Sequence, residues 1–167
     1  MSALLEQGGL GVLDLFACRW WSKEAWLDRF VRRTGFAVED FIRVVSSDDE
    51  QLHPGIWVHT RGLRKFGRPD LQVKHVPGPW PGDNPMTTAA CKLLNSLSER
   101  LCQGAMLGEG ETAAFTGLRR RCTFLLSPDD SGSPHCHFGN EVLEVIDLVR
   151  GKAGSDLNRL LGELAGR

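Results

Sequence analysis

Hydrophobic residues along this chain fall into short blocks divided by Gly, Pro and acidic clusters, and the period within each block assigns it to a strand or a helix. Residues 10–21, LGVLDLFACRWW, are apolar on both faces under two-residue alternation, with Leu13, Leu15 and Ala17 on one side and Val12, Phe16, Cys18 and Trp20 on the other. That pattern predicts an interior strand. Ser22 then supplies an N-cap, Glu24 sits in the first turn and Arg29, Arg32 and Arg33 crowd the last, so a helix is expected up to Thr34-Gly35. Its stripe of Trp26, Leu27, Phe30 and Val31 is expected to lie on the sheet.

Further strands are predicted at Phe41–Ser46, Ile56–Thr60, Leu71–Val76 and Arg121–Leu126, with the acidic SSDDE run at 46–50 as a solvated loop. The four prolines of PGPWPGDNP at 77–85 exclude a ladder or a helix interior, which leaves a rigid surface connection. Asn84 before Pro85 marks a helix start, and Met86, Ala90, Leu93, Leu94, Leu97 and Leu101 trace one stripe through to about Cys102. SPDDSGSP at 127–134 reads as a turn, from which His135–Phe138 returns antiparallel. Residues 141–149, EVLEVIDLV, fit a strand or a helix, with strand favoured, and a short helix is expected over about 155–165. The expected fold is α+β: one domain over 1–167 with its core at about 10–149. It holds a mostly antiparallel sheet, two main helices on one face and a short C-terminal helix.

Composition narrows the partner classes. Twenty basic against 21 acidic side chains leave a net charge of -1, so no global field draws the chain to nucleic acid or anionic lipid. The N-terminal segment lacks the basic residues and small-residue cleavage site of a signal peptide, and no apolar run is long enough for a spanning helix. A soluble, cytoplasmic protein without membrane association is expected. Five cysteines, odd in number and without CxxC spacing, read as reduced thiols that mostly fill the core.

The segment TRGLRKFGRPDLQV (60–73) has a local physical reading. Gly62 and Gly67 permit positive φ where the chain leaves one strand and enters the next, Pro69 fixes that entry, and Leu63 and Phe66 form one helical turn capping the core. It is also similar to the T-x-G-[LM]-x-x-[FL]-G-x-P-[ED]-[LI]-x-[VI] segment of an uncharacterised bacterial family of domains of unknown function, distantly like suppressor-of-fused-type domains. LGEGETAAFTGLRRRCTFLLSP (107–128) resembles that family's segment after its long helix. The resemblance covers roughly residues 10 to 130 and implies an α+β antiparallel sheet. It implies no established activity; domains of this kind are often encoded near secretion or toxin-immunity systems, which points to an interaction role.

Three functions remain open from the sequence. The first is a non-enzymatic protein-binding domain, an immunity or adaptor protein. It would use Arg61, Arg64 and Asp70 of the link between two strands, together with Trp80 on the proline-stiffened loop, unless Trp80 folds back onto the core. The second is a small metal-dependent or cysteine enzyme centred on His135 and His137. On a strand their imidazoles share a face and could hold zinc, but a third ligand is missing and no other cofactor is implied. The third is RNA binding through the basic runs at 61–74 and 119–121, with poor aromatic interleaving. No G-x-S-x-G, phosphate-loop, dinucleotide-binding or H-E-x-x-H motif occurs.

Overall fold

The structure, a computed structural model, describes residues 2–49, 53–114, 121–126, 140–147 and 157–166. A short helix α1 (Ser2–Glu6) leads into a two-stranded antiparallel hairpin, β1 (Gly11–Asp14) and β2 (Arg19–Ser22). This corrects the interior strand expected over 10–21. The Asp14 carboxylate accepts from the amides of Phe16 at 3.1 Å and Ala17 at 3.0 Å, and this local turn reverses the chain in the middle of the apolar run. Cys18 completes the reversal at φ 49°, and the hairpin lies outside the main sheet.

Helix α2 (Lys23–Leu27) starts at its expected cap, where the Ser22 hydroxyl accepts from the Ala25 amide at 3.2 Å, and runs on through a π-helical turn at Asp28–Arg32. Its apolar stripe does not lie on the main sheet, a second correction. Phe30 meets Trp21 of the hairpin edge-on at 5.4 Å and Phe41 at 5.3 Å, and no residue of α2 is fully buried. The hairpin took this stripe because it is the nearer apolar surface in sequence. Phe41 closes the short helix α3 (Val38–Phe41) and touches Phe66 at 5.9 Å, so a chain of rings joins the N-terminal elements to the main body.

Among the described residues the main sheet has six strands: β3 (Arg43–Asp49), β4 (His53–Arg61), β5 (Asp70–Val76), β6 (Thr112–Ala114), β7 (Arg121–Leu126) and β8 (Val142–Asp147). They lie in the order β3-β4-β5-β8-β7-β6. All neighbours are antiparallel except β5 and β8, which run parallel with Leu71 opposite Leu143. The α+β class and mostly antiparallel sheet therefore stand, and residues 142–147 adopt the favoured strand. Ser46–Asp49 extends β3 where a loop was expected, because Ser47 and Asp48 find ladder partners in Trp57 and Ile56.

Helix α4 (Pro85–Cys102) covers one face of this sheet. Its cap is doubly tied, since the Asn84 side chain accepts from the Met86 amide at 3.0 Å and donates to the Pro77 carbonyl at 3.0 Å. Ala90, Leu93, Leu94, Leu97 and Leu101 are buried against Ile56, Val58, Leu71 and Val73. Each large side chain contributes about 1.5–3 kcal/mol before ordering costs. Helix α5 (Asn158–Ala165) packs beside α4 through Leu160 and Leu161. Among the described residues no helix is long and apolar enough to cross a membrane.

Candidate protein-binding surface

The residues singled out by sequence do not form one surface. Asp70 opens β5 and is buried, with its carboxylate turned inward. One oxygen accepts from the Thr60 hydroxyl at 3.0 Å and the Leu63 amide at 3.2 Å, and the other accepts from the Asn140 amide group at 2.7 Å. Burial raises the Asp70 pKa above the usual carboxylate range, while the hydrogen bonds from Asn140, Thr60 and Leu63 and the nearby Arg61 charge pull it down. Asp70 thus ties β4, the following turn and the start of β8 together. Asn140 escaped the sequence reading because it stands 70 residues away.

Between β4 and β5 the expected helical turn is present as a 3₁₀ turn at Leu63–Phe66, flanked by Gly62 at φ 109° and Gly67 at φ 64°. The basic run around it disperses. Lys65 pairs with Asp14 at 2.5 Å, Lys74 pairs with Glu144 at 3.4 Å, and Arg68 donates to the Met106 sulfur at 3.2 Å. Arg61 is half-buried; desolvation lowers its pKa, against the opposing influence of Cys18 and Asp70. Of the second run, Arg119 and Arg120 lie outside the described residues and Arg121 begins β7. Trp80 is 38 % exposed, and it follows the far end of β5, the strand whose start, Asp70, adjoins the 61–70 link.

His135, Cys136 and His137 lie outside the described residues, and so does the strand expected to carry them. Among the described residues no three His, Cys, Asp or Glu side chains are grouped to hold a metal ion. Burial raises the pKa values of the Cys91 and Cys102 thiols, which keeps them protonated and poor nucleophiles. On the sheet face opposite α4, the Trp57 indole donates to the Gln72 side chain at 2.9 Å and stacks on His59 with ring centroids 3.6 Å apart. All three are buried. A cavity of about 260 Å³ between the start of α4 and the end of α5 offers only the exposed Asp83 and Lys92 as charged groups.

The feature that stands out is the hairpin. Pairing Val12 with Trp21 and Leu13 with Trp20 turns the first pair inward and the second outward. Leu13 is 54 % exposed and Trp20 59 %, and the turn adds Leu15 at 71 % and Phe16 at 45 %. Leu10 precedes them at 85 %. The Trp20 indole lies across Gly11, where a Cβ would come within 2.5 Å of the ring, so the aromatic is spread over the strand face. Arg64 stacks above Phe16 at 5.7 Å, and Arg43 donates to the Cys18 carbonyl at 3.1 Å. Large apolar side chains left on the outer face of a hairpin and bordered by guanidinium groups resemble a binding surface, since solvent alone gives them no favourable partner. Two signals in the sequence bear on it: an acid at Asp14 inside an apolar run, and apolar residues on both faces of the segment.

No family model, curated protein or solved structure matches this chain.

Proposed function

We propose that this chain is a non-enzymatic protein-binding domain of the cytoplasm, of the immunity or adaptor kind, which engages its partner through the outer face of the β1–β2 hairpin. The observation that carries the reading is the exposed apolar group of Leu13, Leu15, Phe16 and Trp20 on one small hairpin. An aromatic and three aliphatic or aromatic neighbours on a two-stranded element lose little conformational freedom on docking, which is how a few side chains come to dominate an interface. The interaction role implied by the resemblance of residues 60–73 agrees with it. Among the described residues no His, Cys, Asp or Glu side chains are grouped to hold a metal, and burial raises the Cys91 and Cys102 pKa values, so these residues add no support to the metal and cysteine alternatives, whose His135 and His137 lie outside the described residues. RNA binding loses support because Lys65 and Lys74 are paired with carboxylates within the chain.

Affinity capture from the native host, run in parallel with wild type and a Leu13→Ser/Trp20→Ser variant, tests the proposal. The same protein should be recovered with wild type and reduced at least about tenfold with the variant, whose unfolding midpoint should fall by only a few degrees because both side chains are more than half exposed. Recovery of no protein, or equal recovery by both, overturns the reading.

A further inference from the structure

We infer that the segment seated on the hairpin is acidic, a short amphipathic stretch of another protein whose apolar anchors are flanked by Asp or Glu; this rests on the hairpin being the binding surface. Cationic side chains border the apolar group. Arg64 lies over Phe16, Arg43 reaches the turn at Cys18, and Arg19, beside Trp20 in sequence, donates to the Glu39 carbonyl at 2.7 Å. For Arg19 and Arg43 these hydrogen bonds end on neutral carbonyl oxygens. They leave the guanidinium charge in place and further N–H donors for a carboxylate, which is the acceptor that a guanidinium fork matches best.

Among the described residues, two carboxylates near this region are held by other cations, and Glu39, whose carbonyl takes the Arg19 hydrogen bond, is exposed. Asp14 is held by Lys65, and the buried Asp40 is held by Arg29 and Arg33. Arg19 also feels its neighbours: its pKa is lowered first by burial and then by the charges of Arg43 and Arg29, outweighing Asp40 and Asp14. Among the described residues, then, Arg19, Arg43 and Arg64 border the hairpin while Asp14 and Asp40 are paired with other cations, so a carboxylate brought from outside would meet guanidinium groups.

Other occupants fit less well. A second copy joined about a two-fold axis would set two surfaces with the same guanidinium border against each other. An anionic membrane would match the charge, but insertion needs a projecting tip, and this tip is fastened to the body by the Asp14–Lys65 ion pair and the Arg43 hydrogen bond.

Selection from a displayed library of random short peptides against the full chain provides the test. Wild type should enrich peptides carrying Leu, Phe or Trp among an excess of Asp and Glu. Their affinity should fall at least about tenfold for an Arg43→Glu/Arg64→Glu variant, and a fresh selection on that variant should turn to Lys-rich and Arg-rich peptides. A Leu13→Ser/Trp20→Ser variant should lose the peptides altogether. Peptides that depend on Leu13 and Trp20 but show no charge bias would overturn the acidic partner and leave the hairpin reading intact. Peptides indifferent to Leu13 and Trp20, or no enrichment at all, would overturn both. Binding to phosphatidylserine vesicles in place of peptides, or a two-fold dimer in sedimentation that Arg43→Glu/Arg64→Glu strengthens, would overturn it in favour of a membrane or a second copy.

Discussion

Asp70 illustrates how much a single buried carboxylate can organise. Its three hydrogen bonds reach Thr60, Leu63 and Asn140, and the Thr60 hydroxyl in turn accepts from the Leu71 amide at 2.8 Å. Because burial raises its pKa, the folded state holds a proton that the unfolded chain has already released between the ordinary carboxylate value and the raised one. Unfolding free energy should therefore fall as pH rises through that window, with the contribution lost above it. Asp70→Asn keeps an oxygen acceptor for Leu63 and Thr60 and does not titrate. Urea unfolding at a series of pH values should show the wild-type slope in that window and a flatter one in the variant; parallel profiles would contradict the assignment. The link's motif was legible in sequence as a strand junction, but the direction in which Asp70 faces was not, since its closest partner, Asn140, comes from a distant part of the chain.

At the level of elements, the connection from β4 to β5 and the long helix α4 follow from local rules. Gly62 and Gly67 both adopt positive φ, yet they stand in different surroundings. A Cβ at Gly67 meets nothing within 4 Å, whereas one at Gly62 would lie 2.4 Å from the Phe41 carbonyl oxygen. Gly67→Ala should cost about 1–2 kcal/mol, the left-handed strain alone. Gly62→Ala should cost at least about 3 kcal/mol, because backbone must move as well. Equal losses in denaturant titrations would show that the close approach does not matter. The hairpin follows a local rule too, the Asp14 turn, but one that competes with the continuous apolar pattern around it. Alternation counted over residues 10–21 cannot see that a side-chain carboxylate ends the strand at Asp14.

Across the whole molecule, stability is unevenly distributed. Strands β4 and β5 lie in the middle of the order between other strands and beneath α4, with Val58 and Leu71 fully buried. The hairpin has two strands, one exposed face and a half-buried helix behind it. Amide hydrogen exchange should therefore release the amides of Val12 and Trp21 well before those of Val58 and Val73, by at least about two orders of magnitude in protection. Comparable protection would mean that the hairpin unfolds only with the main sheet.

The amino-acid sequence by itself determined what depends on neighbours a few residues apart: the cap at Asn84, the stripe of α4, the glycine-flanked turn at Leu63–Phe66 and the strands β4, β5 and β7, while it left residues 141–149 between strand and helix. The tertiary structure alone decided which apolar residues are covered. Leu94 and Leu13 are equally hydrophobic, but one meets the sheet and the other meets solvent, because burial depends on which surfaces the folded chain brings together.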